Sequence, residues 1–518
     1  MNPENNLKVN PWLIAVAVVL PTFMEVLDSD VVSVSLTHIA GSLASSTTEA
    51  TWVQTSYLIS NAVVLPASAW FSSLFGRKRF LLGCILLFTL ASAVCGASSS
   101  LGMLVFARIV QGAGGGALIP LSQAILLESF PPAKRGVAMA AYGLGVIIAP
   151  AVGPVVGGWV TDHYSWRWLF YMNPPVGLLA SWLVQRFVFD PDYFRTAKPA
   201  RIDALGLGLL SLWLGTMQVV LDKGQDVDWF AAIWIRWFSV ISVLAFIGFV
   251  IWELHEKEPL AQLRVFKDRN FTVGTILMSV TAVLLYGPIT LLPLFLQGVM
   301  GYTSLQSGLA QMSRGLAALV VMPVVGLIIG KVDDRKLIGV GLLLTGVSAL
   351  LFANLNQFFA PRQIFWPNFL QGVGMSLCMV PLMTLAVGTL KNEQMGNATG
   401  LFALARNLAG SIGISVVTTM ASRGAQTHQA TLVAHVTPYD TAFQNAVQAS
   451  QAALAGHVGT AQAHSGALSQ IYQQLLQQAN LLAYLDDFRL LGMICLIALP
   501  LVLLLKRVVA KGGPMLAH

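Results

Sequence analysis

The chain has 518 residues, of which 56% are hydrophobic and only 10% are charged. A soluble protein carries about 25% charged residues, and its surface could not accommodate so many apolar side chains. The composition excludes an ordinary soluble protein and predicts an all-α protein that spans a membrane many times. The net charge of +7 lies mostly in short loops between apolar runs, which is typical of membrane orientation and not of nucleic-acid binding.

Apolar stretches of about 18–25 residues recur along the chain, each long enough to cross about 30 Å of hydrocarbon as a helix. We expect about fourteen transmembrane helices, near residues 12–36, 52–73, 80–98, 102–126, 137–160, 167–189, 204–221, 231–253, 271–297, 308–330, 337–356, 364–389, 398–421 and 488–505. The first stretch contains Glu25, Asp28 and Asp30, which the apolar region of a signal peptide would not tolerate, so we expect a retained span.

The basic residues predict the orientation of the chain. If the N-terminus is cytoplasmic, 21 of the 30 lysines and arginines lie in cytoplasmic segments and only six lie on the opposite side. Lysine and arginine concentrate in the cytoplasmic loops of membrane proteins. We therefore expect both termini in the cytoplasm and an even number of spans.

Two distant segments of the chain echo each other. Arg108-Ile-Val-Gln-Gly-Ala-Gly114 is similar to Asn368-Phe-Leu-Gln-Gly-Val-Gly374, and a proline follows each segment. The similarity predicts two six-helix bundles related by duplication, with two inserted helices between them. The expected division is 1–190 for the first bundle, 203–253 for the inserted helices and 271–505 for the second bundle. Paired bundles that rock about a central site are how many secondary transporters alternate access.

A long segment before the last span, residues 424–487, has no lysine or arginine and is rich in alanine, glutamine and histidine. Apolar residues recur in it at helical spacing, namely Leu468, Ile471, Leu475, Leu482 and Leu485. We expect an amphipathic helical segment outside the membrane. Two interpretations stay open, a cap that folds on its own surface and a docking surface for helices of another chain. Its histidines lack a suitably spaced third ligand for a metal site.

Two acids in the first span are candidates for a proton-carrying site. Asp28 lies about 24 Å along a helix that begins near Trp12, so it is inside the membrane and nearer the outer side. A carboxylate there is costly unless it faces a cavity or a partner, or is protonated. Glu25 lies one turn away on the same face, whereas Asp30 points elsewhere and is a weaker candidate. The alternative is an acid paired permanently with an arginine.

Arg108 is expected to act on these acids, since arginine stays charged and cannot carry the proton itself. It can pair with a carboxylate and so set when the acid releases its proton, while a purely structural hydrogen-bonding role stays open. The secondary candidates are Gln111, Arg314, Arg406 and Asn407, and both interpretations extend to Arg314 and Arg406.

Prolines and glycines are concentrated in the fifth predicted span. Pro150, Gly153, Pro154, Gly157 and Gly158 remove side-chain bulk and backbone donors. They predict a kinked helix that a neighbouring helix can approach closely. Such a helix suits a seal between two bundles, although glycine-rich packing without a gating role is common in membranes.

Several motifs, in order along the chain, resemble the fourteen-spanner drug:proton antiporters of the major facilitator superfamily. They are Leu27-Asp28-Ser-Asp30 in the first span, Arg108-x-x-Gln111-Gly112, Gly153-Pro154-x-x-Gly157-Gly158, Trp166 to Phe170 with Asn173-Pro174, Leu296-Gln297-x-x-x-Gly301-Tyr302, and Arg406 to Gly413. The resemblance covers the whole chain, and the long segment before the last span is similar to the EmrB type. The chain departs from the family at Ser73, where an acid is usual, and at Ser313, where proline is common.

The resemblance implies a proton-coupled antiporter that exports hydrophobic drug-like compounds from the cytoplasm or inner leaflet, without a cofactor. It implies a bacterial inner membrane, a periplasmic membrane-fusion adaptor and an outer-membrane channel. The sequence has no Walker A motif and no nucleophile–base arrangement, so neither an ATP-driven pump nor a membrane enzyme is expected. Two alternatives stay open, a proton-coupled importer or passive facilitator of a metabolite, and a sensor or scaffold that does not transport.

Overall fold

The computed structural model of the chain describes residues 10–130, 135–190, 203–224, 227–256, 259–329, 332–356, 361–390, 392–437, 439–458 and 460–506. These residues are almost entirely helical. The helices in chain order are α1 (Pro11–Ser33), α2 (Leu36–Ser42), α3 (Thr47–Ala50), α4 (Trp52–Phe75), α5 (Arg77–Ala97), α6 (Leu101–Gly115), α7 (Leu118–Ser129), α8 (Arg135–His163), α9 (Trp168–Tyr171), α10 (Asn173–Phe187), α11 (Ala204–Lys223), α12 (Ile233–His255), α13 (Arg269–Gly298), α14 (Ser304–Ile328), α15 (Asp334–Phe352), α16 (Pro361–Val387), α17 (Asn392–His435), α18 (Thr441–Val458) and α19 (Thr460–Val502).

Each predicted span overlaps a helix of the structure. Three spans are interrupted and consist of the pairs α1 and α2, α6 and α7, and α9 and α10. The break after α6 lies at Gly116, where an added Cβ would be 2.6 Å from the Asn61 carbonyl oxygen of α4. Among the described residues, ten helical segments are long and apolar enough to cross a membrane. The predicted all-α membrane architecture is confirmed.

Contacts between loops identify one end of the bundle, which we call the basic end because Arg77, Lys78 and Arg269 lie there. Lys78 Nζ donates to the Gln185 carbonyl at 2.7 Å, and Arg269 Nε donates to the Leu504 carbonyl at 2.8 Å. At this end too, the rings of Trp12 and Phe130 are 5.2 Å apart.

The opposite end, which we call the hairpin end, holds the remaining connections. Trp166 Nε1 donates to Ser42 Oγ at 2.6 Å, and the Ser304 amide donates to Asp162 at 3.0 Å. Because α1 begins and α19 finishes at the basic end, the chain crosses the bundle an even number of times, as the charge pattern predicts.

The two echoed segments occupy equivalent positions. An added Cβ at Gly112 of α6 would lie 2.5 Å from the Tyr57 carbonyl of α4, and one at Gly372 of α16 would lie 2.4 Å from the Arg314 carbonyl of α14. Two residues further on, Gly114 packs against α5 and Gly374 packs against α15. Close backbone contact of this kind explains why both segments are rich in glycine.

The segment 424–487 is helical where the structure describes it. α17 continues to His435, α18 follows, and α19 packs against both before it enters the last predicted span. We call this part of α17, together with α18 and the first part of α19, the outer hairpin. Leu485 is buried, but Leu468 is 40% exposed. The predicted apolar face is therefore wrong at Leu468, because small residues, Ala463 and Ala467, make the buried contacts in its place.

Candidate functional site

Asp28 lies within a buried polar cluster of the first bundle. Its side chain is 1% exposed and forms an ion pair with Arg108 of α6. Gln111 Nε2 donates to Asp28 Oδ1 at 3.0 Å, and Asn173 Nδ2 of α10 donates to the same oxygen at 2.6 Å. Both carboxylate oxygens therefore accept hydrogen bonds, which is the environment of an ionised carboxylate.

Arg108 is fully enclosed by the helices around it. Its Nε donates to the Val53 carbonyl of α4 at 2.9 Å, and its Nη1 donates to Asp28 and, at 2.8 Å, to Gln111. The guanidinium carbon lies 4.2 Å from the centre of the Tyr57 ring, where a cation–π contact adds to the ion pair. Removing either charge would leave the other buried without compensation.

Glu25 lies one turn before Asp28 but has different surroundings. Its Oε1 accepts a hydrogen bond from Asn61 Nδ2 of α4 at 2.9 Å. Its Oε2 is buried and has no hydrogen-bond partner among the described residues. Asn61 Oδ1 accepts in turn from Asn407 Nδ2 of α17 at 2.8 Å, so the chain of contacts reaches the second bundle. A buried carboxyl oxygen without a donor is a suitable place for a proton.

The other charged candidates are less tightly bound to this cluster. Arg314 Nη2 donates to Gln311 at 3.2 Å, and Arg406 approaches Asn407 Oδ1 at 3.4 Å. Asp30 and Arg314 interact electrostatically, but no ion pair joins them within the described part of the chain. Of the secondary candidates, Gln111 contacts Asp28 directly and Asn407 reaches Glu25 through Asn61.

The glycine-rich part of α8 is in contact with both bundles. An added Cβ at Gly157 would lie 2.8 Å from the Val31 carbonyl of α1, and one at Gly158 would lie 2.3 Å from the Ser304 carbonyl of α14. From the other side, Gly308 of α14 approaches the Pro154 carbonyl, where an added Cβ would be 2.0 Å away. The two bundles therefore touch backbone to backbone at the hairpin end.

Known proteins match this chain over most of its length. Residues 18–414 match the Major Facilitator Superfamily. The chain belongs to that family. It is 37% identical over 505 residues to the multidrug export protein EmrB of Escherichia coli strain K12, covering 97% of this chain and 96% of the relative. It is 34% identical to the fatty acid resistance protein FarB of Neisseria gonorrhoeae, covering 95% and 96% of the two chains.

Solved structures of other transporters share the fold at low sequence identity. A bacterial homologue of the human drug peptide transporters PepT1 and PepT2 superposes with a TM-score of 0.63 at 15% identity, over 96% of this chain and 98% of that one. A bacterial homologue of the human lysosomal transporter Spinster, in an inward-facing and occupied conformation, gives 0.60 at 14% identity, over 95% and 96%. The chain is a membrane transporter and not an enzyme, as the sequence predicts.

Two members of the site in this Major Facilitator Superfamily chain were not among the predicted residues. Asn61 and Asn173 connect the acids of α1 to α4, α10 and α17. A sequence signal for them exists, because a polar amide inside an apolar span needs a partner there. Asparagine is nevertheless less conspicuous than a charge within a span, and its partner cannot be identified without the helix packing.

Proposed function

We propose that the chain is a proton-coupled antiporter that exports hydrophobic drug-like compounds from the cytoplasm or the inner leaflet. The observation that carries this proposal is the pair of acids on α1. Asp28 is held as a carboxylate by Arg108, Gln111 and Asn173, while Glu25, one turn away, keeps a buried oxygen without a donor. The names of the relatives, for multidrug export and fatty acid resistance, favour the same substrate class.

In this mechanism Glu25 and Asp28 each bind and release a proton during the transport cycle, and Arg108 sets when Asp28 releases its proton. A proton on Asp28 removes the charge that Arg108 and Gln111 bind, so these donors are free to reorganise α6 against α1. A proton on Glu25 neutralises the acid beside the Asn61–Asn407 contact, which joins α4 to α17. Protonation therefore changes contacts between the bundles, which is the requirement for coupling a proton to their movement.

The bundles that rock are the segments 1–190 and 271–505, with the inserted helices of 203–253 beside them. Gly153, Pro154, Gly157 and Gly158 form the seal at the hairpin end. The contacts of the three glycines with α1 and α14 leave no room for a larger side chain, so the helices pack closely at the seal. Protons from the hairpin side reset the transporter, and their release at the basic end accompanies loading of substrate.

The basic end faces the cytoplasm in this proposal, with both termini there and the protein in a bacterial inner membrane. The outer hairpin then projects into the periplasm and contacts a membrane-fusion adaptor, which joins the transporter to an outer-membrane channel. Apolar side chains on its surface support a docking role, since Val433 and Tyr472 are 45% and 47% exposed.

Reconstitution tests the proposal. Purified protein in proteoliposomes, under an imposed pH gradient, should move dyes and weak acids against the direction of proton flow, and a protonophore should stop the movement. Asp28→Asn should lose gradient-driven transport. Movement in the same direction as the protons would indicate an importer, and movement unaffected by the protonophore and by Asp28→Asn would indicate a passive facilitator.

A further inference from the structure

A second buried carboxylate lies outside the acids of α1, on the inserted helix α11. Asp222 is 6% exposed and is located one residue before the end of that helix, at the hairpin end. Its Oδ2 accepts from Thr55 of α4 at 3.0 Å and from Gln218 of α11 at 2.7 Å. Its Oδ1 accepts from Ser415 of α17. Three helices from three parts of the chain therefore meet at one carboxylate.

The hydrogen bonds around Asp222 form a closed network. Gln218 Nε2 also donates to Ser415 Oγ at 2.8 Å, and Ser411 Oγ donates to Gln218 Oε1 at 2.7 Å. Every polar side-chain atom of Asp222 and Gln218 thus has a partner. Such a network is stable only while α4 and α17 both stay in contact with α11, because each supplies donors that no other described residue replaces.

We propose that Asp222 is a proton-sensitive latch through which the inserted helix α11 holds the hairpin ends of α4 and α17 together. The latch rests on the proposed function, in which the two bundles separate at this end. Separation of α4 from α17 removes Thr55 or Ser415 from the carboxylate, and a buried carboxylate that loses a donor is destabilised. A proton on Asp222 removes the charge and supplies a donor of its own, so it reduces the cost of opening.

A cavity that shares helix α17 with the network can hold water. A cavity of about 90 Å³ opens at the hairpin end between α3, α13, α17 and α19, and it has room for several water molecules. Polar side chains contribute to its lining, including Thr48, Thr418, Ser422 and Asn480. Thr418 is one turn from Ser415 on α17, so water in this cavity approaches the Asp222 network from the side on which the bundles would open.

The charges that surround Asp222 are few, so its own titration dominates the network. α4 has no charged residue, and the charged residues at the hairpin ends of α3, α11, α12 and α17 are Glu49, Lys223, Arg236 and Arg423, apart from groups on other helices such as Asp162 of α8. Lys223 pairs with Glu49 of α3 at 3.0 Å, while Arg236 of α12 binds the Phe230 carbonyl and Arg423 of α17 lies 5.8 Å from the centre of the Trp229 ring. The remaining ionisable groups of α12 and α17 lie at the basic end, within the bundle or in the outer hairpin, namely Glu253, His255, Glu393, Arg406, His428 and His435.

A disulfide across the hairpin end measures the latch without substrate or a gradient. Thr48 Oγ1 of the first bundle and Ser422 Oγ of the second are 3.3 Å apart, which suits a cysteine pair in the closed state. The native cysteines are buried and should not compete, namely Cys84, Cys95, Cys378 and Cys495. The rate of disulfide formation in Thr48→Cys/Ser422→Cys protein in nanodiscs therefore reports the closed fraction.

Adding Asp222→Asn should slow disulfide formation at neutral pH by roughly tenfold, as expected when a hydrogen-bonded charge is lost. The ratio of the two rates at each pH cancels the pH dependence of thiol oxidation, and it should approach one in acid, where Asp222 of the parent is itself protonated. Asp203→Asn, the same substitution at the other end of α11, is the matched control and should leave the rate unchanged.

Ser415→Ala keeps the test decisive if Asp222→Asn does not fold, because it removes one donor and keeps the acid; we expect slowing by roughly threefold. Rates equal to the parent in both variants, or in Ser415→Ala alone where the other cannot be made, would overturn the latch. Such a result would leave the proposed antiport intact, since gradient-driven transport is measured separately through Asp28. If the disulfide rates support the latch but the parent protein shows no gradient-driven transport, only the proposed antiport is rejected.

Discussion

The echoed segments of the two bundles make the same contacts with different chemistry. Arg108 of α6 donates to the Val53 carbonyl of α4 at 2.9 Å, and Asn368 of α16 donates to the Ala310 carbonyl of α14 at 2.8 Å. α4 forms the second predicted span of the first bundle, and α14 forms the second predicted span of the second bundle. A neutral amide therefore suffices for this contact in the second bundle, so packing alone does not require the positive charge of the first.

The glutamines three residues later show the same difference. Gln111 donates to the Asp28 carboxylate of α1 at 3.0 Å, whereas Gln371 donates to the Leu284 carbonyl of α13 at 3.0 Å. In the second bundle the glutamine thus binds a backbone carbonyl in place of an acid, and its Oε1 has no hydrogen-bond partner among the described residues. Since a buried ion pair adds little net stability over neutral groups, the charges on the first bundle are best explained by function. The two bundles are similar scaffolds, and in the proposed function the first carries the proton chemistry.

The largest expected effect comes from removing the Asp28–Arg108 charge pair, so that the echoed segment of α6 becomes neutral like that of α16. Asp28→Asn and Arg108→Asn should each destabilise the protein by about 3–5 kcal/mol, because each leaves the other charge buried and unpaired. The double variant should recover most of that stability but not proton-driven transport. Thermal unfolding in detergent gives the first quantity and proteoliposome efflux gives the second.

Asn368→Ala in the second bundle is the matched control for this series. It removes a neutral hydrogen bond worth about 1 kcal/mol and should slow transport without uncoupling it from protons. Recovery of gradient-driven efflux in the double variant would contradict the assignment of coupling to Asp28.

Glu25→Gln tests the division of labour within the first bundle. The amide can still accept from Asn61, and its NH₂ can occupy the site of the buried Oε2, so we expect near-parental stability, in contrast to Asp28→Asn. Proton-driven efflux should fall by at least tenfold while downhill substrate exchange continues. Parental efflux across the whole pH gradient range would show that Glu25 carries no proton.

Much of the fold could be predicted from the sequence because its signals are long. Apolar runs of membrane length predicted a segment that the structure shows as helical in every case, and basic loops predicted the alternation of ends with which contacts such as Arg269 with Leu504 agree. The interruption at Gly116 was not predicted, since a glycine-rich run stays apolar whether or not the helix continues. The leucine spacing misplaced the buried face of the outer hairpin, because alanines such as Ala467 allow closer packing.

The site was predictable only where a charge interrupts an apolar run. Asp28, Glu25 and Arg108 stand out for that reason, and the structure brings Asp28 and Arg108 into contact. Asp222 did not stand out, because it lies at the end of its span, where a charge looks like an ordinary boundary. Its significance comes from helices α4 and α17, which are distant in sequence, so no local pattern records it.

The outer hairpin belongs to the second bundle and has no counterpart in the first. Replacing residues 432–470 with a short Gly/Ser linker keeps Gln429 and Tyr472, whose side chains are 3.0 Å apart, beside the new connection. We expect this variant to lose several-fold of efflux from intact cells and to keep transport in proteoliposomes, because in the proposed function only efflux from cells needs the adaptor. Equal loss in both assays would indicate a role in folding.

The smallest expected effect concerns an ion pair that is exposed, unlike that of Asp28. Lys223, the last residue of α11, lies 3.0 Å from Glu49 of α3, between the first two predicted spans, and its hydrogen bond holds the pKa of Glu49 below the ordinary value of 4.5. A lowered pKa means that the pair stabilises the folded state above that ordinary value, and that the contribution is lost as the pH falls through the folded pKa. Because both side chains are about one-third exposed, Glu49→Gln should cost less than about 1 kcal/mol.

Unfolding temperatures of parent and variant should therefore differ slightly at neutral pH and converge in acid. A difference at neutral pH as large as that of Asp28→Asn would mean that burial is not what separates the two pairs.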